Sequence, residues 1–471
     1  MMKKTTNSFG RRHFLKSSAL TGAFLGLSSG VLNANNKGLI EEKLERNTQA
    51  PAQKGRSVMG LKVPPIEQLK VAFIGVGNRG TSHVKRMSAL YPKAKVMAVC
   101  DIRNDKAKAS AAILKKSGQK VDVYSGKEEA WKEMVSRDDI DLVVISTPWE
   151  DHASMAVYSM QKGKHVAVEV PLAYTLEDCW KIVDTAEEMQ KNCIMLENVC
   201  YGNEELWVLN MVNEGVFGTL TYAEAAYIHN LKEGLFDDKY YEKWRIGHHL
   251  TTDANLYPTH GLGPVAQYFG IGRGDRFDRL VSMSSLQASL TEFSRNVDRT
   301  NRYYDRDDFA HGDMNNSLIK THKGRSILLQ HDVVTPRPYS RINALAGTDG
   351  YHEGYPSRLS LRNDDEGHDW LSESDYNELR DRYNHPIWEE LKEEIAKNNG
   401  HGGMDFVMTY RMVDAFNKGL PLDMDVYDGL DWSVVTPLSA TSVQLGSIPV
   451  KFPDFTRNKW KEKRVLEILK K

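Results

Sequence analysis

The stretch Val71-Ala72-Phe73-Ile74-Gly75-Val76-Gly77-Asn78-Arg79-Gly80 constrains this chain more than any other. An apolar run of strand length enters a Gly-x-Gly-x-x-Gly turn, and a helical pattern leaves it. Few folds use that order. Gly75 permits the tight turn, Gly77 lets a phosphate approach the backbone, and Gly80 lets the helix pack on the strand. The first N–H groups of the helix attract an anion. Alone the motif is weak, but a second strand pattern, Lys95 to Asp101, ends in a carboxylate 24 positions beyond Gly77. A carboxylate there accepts hydrogen bonds from an adenosine ribose and repels a 2′-phosphate, so the expected cofactor is NAD rather than NADP.

The pattern around this motif gives the architecture. Apolar runs at Lys70 to Gly75, Lys95 to Asp101, Asp141 to Thr147, His165 to Val170 and Cys193 to Glu197 alternate with helical patterns. Such alternation means a parallel sheet with crossover helices. A Rossmann domain is expected over residues 68–200. After Tyr201 a helical stretch, Asn203 to Glu214, precedes strand patterns at Leu220 to Ile228, Arg279 to Leu286, Asn316 to His322 and Ser326 to Val334. Short turns such as Lys323-Gly324 imply a mainly antiparallel sheet. The expected fold class is therefore α/β, with a C-terminal α+β domain over residues 201–471. Residues 352–402 read as an inserted set of loops and short helices. A helix, Met404 to Lys418, and an apolar segment, Trp432 to Leu445, follow and return toward the first domain.

With 62 Lys+Arg against 63 Asp+Glu, the chain lacks the basic excess of a nucleic-acid binder. Its first 34 residues are different, with Lys3, Lys4, Arg11, Arg12 and Lys16 and no acidic side chain. Arg11-Arg12-His13-Phe14-Leu15-Lys16 before a weakly apolar, Gly- and Ser-rich run reads as a twin-arginine export signal. A spanning helix is not expected, because the run is too short and too polar. Residues 35–67 read as a linker. The predicted location is periplasmic or secreted, with export in the folded state after the cofactor is acquired. The four cysteines lie in strand-like and helical patterns, which favours structural thiols over bridges.

Three more clusters fall at strand ends: Ser146-Thr147-Pro148-Trp149-Glu150-Asp151-His152, Glu169-Val170-Pro171 and Glu197-Asn198. Open α/β sheets bind their ligands at these carboxyl ends. The constellation resembles the glucose–fructose oxidoreductase / inositol dehydrogenase superfamily over about residues 66–450. Members usually carry Glu-Lys-Pro after the fifth strand, where Val170 replaces the lysine here. They often place an aspartate four residues before the substrate-domain histidine, and here that position is Leu256 before His260. Both departures, together with Gly77 to Gly80, Trp149 to His152, Glu197-Asn198 and Tyr257-Pro258-Thr259-His260, look like glycoside hydrolase family 109. That family comprises the NAD-dependent α-N-acetylgalactosaminidases.

The resemblance implies that Asn78, Arg79, Asp101, Trp149, Glu150, Asp151, His152, Glu169, Val170 and Asn198 hold NAD. It implies sugar contacts from Tyr227, Arg245, Tyr257, Pro258, Thr259, His260 and Tyr339. Each of four picks also has a plain reading: Tyr227 as a core aromatic, Arg245 as a surface ion pair, His260 as a structural histidine, and Tyr339 as a packed loop residue. No His-Glu-x-x-His or facial-triad spacing appears, so no metal is expected.

An exported enzyme has no dependable supply of free NAD, so its cofactor should be regenerated within each cycle. Oxidising the sugar C3 hydroxyl acidifies C2–H, which allows loss of the C1 substituent, addition of water, and return of the hydride to C3. This chemistry needs no pair of flanking carboxylates. His260 and Tyr257 are the expected acid/base groups, with Arg245 polarising or orienting. A net sugar oxidoreductase with tightly bound NAD is the alternative, and a catalytically silent sugar binder is a third reading. The expected partner is a glycan or glycoside, with no nucleic acid and no membrane after signal removal. A homo-oligomer is left open.

Overall fold

The computed structural model describes residues 48–362, 369–398 and 400–470. The twin-arginine stretch lies outside them. The first sheet contains β1 (Leu69–Ile74), β2 (Ala94–Asp101), β3 (Asp122–Ser125), β4 (Leu142–Ile145), β5 (His165–Val168) and β6 (Cys193–Met195). Its order is β3-β2-β1-β4-β5-β6, and every pairing is parallel. β1, β4 and β5 are apolar and buried almost throughout, as expected of strands covered by helices on both faces. The order reverses between β1 and β4, which opens a crevice at their carboxyl ends.

The second sheet contains β7 (Leu220–Ile228), β8 (Phe277–Ser284), β9 (Asn315–Thr321), β10 (Ser326–Asp332), β11 (Ala344–Gly347), β12 (Gly350–Glu353), β13 (Arg358–Leu361) and β14 (Val450–Lys451). The order is β13-β12-β11-β7-β10-β9-β8-β14. β7 and β10 are parallel and the other pairs antiparallel. The α/β class with a Rossmann sheet and a mainly antiparallel second sheet is as the sequence implies.

The expected insertion is more ordered than its composition suggests. β12 and β13 extend the sheet edge, and helices Glu373–Tyr383, Pro386–Glu390 and Lys392–Lys397 follow. Of the C-terminal segments, two helices return to the first domain, whereas helix Val435–Gln444, most of the apolar segment expected there, packs on β8 and β14 of the second sheet. Helix Met404–Lys418 packs on β1 and on helix Asn78–Ala89, and helix Val426–Ser433 packs on β6 and helix Leu176–Met189.

The linker expectation needs correction over residues 48–67. This segment has little regular structure, yet it is pinned along the body. Gln53 Nε2 donates to Glu187 Oε2 (3.0 Å), the Val58 amide to the Tyr427 hydroxyl (3.2 Å), and the Ile66 amide to the Phe416 carbonyl (3.0 Å). A polar segment with no apolar period can be ordered by such hydrogen bonds, and periodicity does not reveal them. All four cysteines are free and buried, and burial pushes the Cys100 and Cys193 thiols up to about 12.

Candidate active site

The glycine turn follows β1 and leads into helix Asn78–Ala89. Gly75 has φ of 79°, and a Cβ there would lie 2.7 Å from the Ser146 carbonyl oxygen. A Cβ on Gly80 would lie 1.9 Å from the Gly75 carbonyl oxygen, so helix-to-turn packing forbids a side chain. Gly77 differs, since a Cβ there would meet only the flexible end of Arg103, at 3.5 Å. The protein itself leaves that space, at a helix start that has no side-chain cap. These features fit a dinucleotide phosphate. Asp101 accepts the amides of Val76 and Arg103, both at 2.9 Å. A carboxylate has capacity for further donors, so a ribose remains within its means.

Arg79 lies in a buried ionic cluster. Its Nε donates to Glu169 Oε1 (2.7 Å), and its Nη atoms donate to Asp405 at 2.9 and 3.2 Å. His83 adds a 2.5 Å contact to Glu169, Arg86 pairs with Asp405 at 2.8 Å, and Asn198 Nδ2 donates to Asp405 Oδ1 (2.7 Å). The Asn198 Oδ1 is buried and has no partner among the described residues, which leaves an acceptor for a bound amide or hydroxyl. Asn78 reaches across to the Lys239 carbonyl (3.1 Å), and the Arg103 guanidinium lies 5.0 Å over the Tyr241 ring. Residues 239–241 therefore cross the mouth of the nucleotide crevice.

Helix Trp149–Gln161 begins with Trp149, Glu150, Asp151 and His152. Trp149 is buried among Tyr174, Trp244, His248 and Tyr257, with ring centroids 5.0 to 5.9 Å away. Glu150 faces His248 at 3.5 Å. The Asp151 amide closes the first turn on the Pro148 carbonyl. His152 differs from its neighbours, because its side chain is fully buried. Its ring nitrogens lie 2.7 Å from the Pro171 carbonyl and 2.9 Å from that of Thr147. Its imidazole ties the ends of two strands together. Val170 is buried next to Glu169.

The second domain presents its polar groups to this crevice. Tyr257 and Pro258 lead into helix Thr259–Tyr268, with His260 in the first turn. Tyr257 Oη lies 3.5 Å from His260 Nε2, and His260 Nδ1 lies 2.7 Å from Glu197 Oε1. Tyr227, on β7, stacks near Tyr257 (4.4 Å between centroids) and places its hydroxyl 3.0 Å from His229 Nδ1. Arg245 is buried rather than a surface ion pair, and no carboxylate pairs with it among the described residues. Its guanidinium lies about 5 Å over the rings of Trp149, Tyr257 and Tyr240. The Arg245 Nε and the Thr259 Oγ1 are buried without partners among the described residues. Tyr339 is the outermost member, 42 % exposed, with its hydroxyl held by Arg341 at 2.8 Å.

Residues 201–462 match the family model for the glycosyl hydrolase 109 C-terminal domain, and residues 69–197 match the oxidoreductase family with an NAD-binding Rossmann fold. The chain belongs to glycosyl hydrolase family 109. It is 47 % identical over 465 residues to a glycosyl hydrolase family 109 protein of Shewanella putrefaciens, covering 98 % of each chain. It is 46 % identical over 464 residues, again 98 % of each, to a protein of Shewanella oneidensis named alpha-N-acetylgalactosaminidase. Among solved structures, levoglucosan dehydrogenase in complex with NADH superposes with a TM-score of 0.63 at 16 % identity, over 82 % of this chain and 100 % of that one. An NAD-binding oxidoreductase from Klebsiella pneumoniae gives 0.64 at 18 %, with the same coverage. At such identity these two show the fold alone.

This family 109 chain is an NAD-dependent glycoside hydrolase, and its structure adds residues that sequence reading left out. Glu197 was visible only as a strand-end carboxylate. His83, His229 and Asp405 gave no signal, since each acquires its partners through folding. Burial opposes ionisation of Glu169, but the Arg79 charge and the His83 hydrogen bond outweigh it and hold the carboxyl down at about 2. A depressed folded-state pKa contributes stability that is fully present above the unfolded value and is lost as pH falls through the folded one. Between pH 4.5 and about 2 the wild type should lose stability that Glu169→Gln never had. Thermal melts of the two proteins should converge over that window, and a constant gap down to pH 2 would contradict this account.

Proposed function

We propose that this enzyme removes terminal α-linked N-acetylgalactosamine from glycans by a redox-neutral cycle of oxidation at C3, elimination, hydration and reduction. The Shewanella oneidensis relative's name supports the sugar and the linkage. The observation that carries the chemistry is the Tyr257–His260 pair, set beside the nucleotide crevice. Glu197, the carboxylate hydrogen-bonded to His260, is fully buried and cannot flank a glycosidic oxygen. Gly77, Arg79, Asp101, Glu169 and Asn198 are the residues that would hold the cofactor. When bound, NAD supplies a reversible hydride acceptor for C3, and the ketone so formed acidifies the C2 hydrogen.

The side chains divide the proton work. Burial pushes the Tyr257 phenol well above its ordinary value, so Tyr257 stays protonated and acts as a donor. His260 Nε2 is then the acceptor for the substrate proton. Arg245, buried and without an acidic partner among the described residues, orients a sugar oxygen, and the Tyr227 ring walls the sugar. The Arg11-Arg12 motif supports export of the folded, loaded enzyme.

The test is hydrolysis of an α-N-acetylgalactosaminide in D2O without added NAD. Deuterium should appear at C2 of the released sugar, and a C3-O-methyl substrate should resist cleavage. Product without deuterium, together with normal cleavage of the methyl ether, would exclude the cycle. Accumulation of a lactone or sugar alcohol would point to a net oxidoreductase instead.

A further inference from the structure

We infer that Glu197 is a positioning residue for the reaction, fixing the tautomer of His260 and stabilising the imidazolium formed when Nε2 takes a proton. This rests on the reading of His260 as the proton acceptor. Glu197 follows β6 in the nucleotide domain, and His260 lies on a helix of the second domain, so the contact spans the two. The carboxylate is fully buried. Oε1 accepts the Val199 amide at 3.1 Å and lies 2.7 Å from His260 Nδ1, while Oε2 is buried with no partner among the described residues. Among the described residues no lysine or arginine pairs with it; its side-chain partner is the His260 imidazole.

A carboxylate taken out of water needs a counter-charge or donors. Here Nδ1–H is the side-chain donor, so the proton sits on Nδ1 and the lone pair of Nε2 faces the Tyr257 hydroxyl and the crevice. Once Nε2 takes a proton, the imidazolium gains an adjacent anion that no other cation neutralises. The division of labour is that of the aspartate in a serine-protease triad, which holds the imidazole tautomer and stabilises its cation without itself being protonated.

The helix is built to permit the contact. A Cβ on Gly261 would lie 2.5 Å from the Ala226 amide nitrogen. A Cβ on Gly263 would lie 3.2 Å from Glu197 Cγ, 3.0 Å from Cys200 Sγ and 3.1 Å from the Trp432 ring. The two glycines let the His260 helix press between β7 and the end of β6, which brings the imidazole onto the buried carboxylate.

The experiment compares wild type, Glu197→Gln, Glu197→Ala, His260→Ala and the Glu197→Ala/His260→Ala double variant on a chromogenic α-N-acetylgalactosaminide. It reads kcat, KM and the NAD retained per purified chain. Loss of the charge should lower kcat about a hundredfold in Glu197→Gln and further in Glu197→Ala. KM and bound NAD should stay within about twofold in Glu197→Gln, whose amide oxygen can still accept the Val199 amide that holds the Asn198 turn. The double variant should be no slower than His260→Ala, since the two residues act as a unit. A Glu197→Gln enzyme within about threefold of wild-type kcat, beside an inactive His260→Ala, would overturn the positioning role and leave His260 as acceptor. An active His260→Ala would overturn the reading beneath it. If the Glu197 variants do not fold, Gly263→Ala serves as the second arm. It keeps every charge and pushes the helix off Glu197, so kcat should fall about tenfold with NAD retained, and an unchanged kcat would overturn the proposal.

Discussion

His260→Ala should lower kcat by more than about a hundredfold, as expected when a general acid/base group is removed. Bound NAD should be unaffected, because His260 belongs to the second domain and none of the ionic cluster around Arg79 depends on it. Truncation to alanine also deprives buried Glu197 of the Nδ1–H donor that satisfies it, so the variant should melt at a lower temperature. His260→Asn is the control for that effect. Its amide keeps a donor near Glu197 but offers no imidazole to accept a proton, so it should be as slow as the alanine variant and more stable. Steady-state rates, melts and cofactor absorbance separate these outcomes. A His260→Asn enzyme within a few-fold of wild type would make His260 a structural residue.

The second large effect should come from Asp405→Ala. Asp405 lies at the start of helix Met404–Lys418, with a fully buried side chain that faces Arg79, Arg86, Asn198 and His401. Burial alone would raise its pKa, but the His401 hydrogen bond and the Arg79 and Arg86 charges hold it far below the ordinary carboxylate range. It stays ionised at any pH suited to an assay. Removing it strands the buried Arg86 guanidinium and leaves Arg79 with Glu169 alone, and breaking such a cluster costs about 3–5 kcal/mol. Arg79 and Asn198 also lose the group that fixes their rotamers, so purified Asp405→Ala should carry much less NAD, and its melting temperature should fall with or without added cofactor. Asp405→Asn keeps the shape and some hydrogen bonds, and should fall between. Wild-type NAD content and melting in Asp405→Ala would show that the cluster does not support the crevice.

Local pattern was enough for much of the fold. The β1 turn, the five long strand patterns of the first domain and the Met404–Lys418 helix follow from residue periodicity and glycine spacing, which act over a few neighbours. β3 was missed because Asp122–Ser125 is a short edge strand, half-exposed, with only Val123 and Tyr124 to suggest it. β12 and β13 escaped for a similar reason. Four-residue strands in polar surroundings carry too little alternation to stand out, and their pairing with β11 orders them.

The composition of the crevice was legible too, because an open α/β sheet binds at strand ends and those ends are marked by Gly75, Asp101, Trp149, Glu169 and Asn198. What each residue touches was not. His152 looked like one more strand-end polar group, yet folding turned its ring onto two backbone carbonyls. Arg245 was compatible with the surface until the second domain buried it among aromatic rings. The sequence by itself determined the cofactor turn, the domain types and the residues near the crevice. Only the tertiary structure decided that Glu197 meets His260 across 63 positions and that Arg79 meets Asp405 across 326. Local patterns encode which conformation a segment takes and which face it buries. Partners so far apart are set by the path of the chain, and the demand that buried charges be paired then makes those contacts specific.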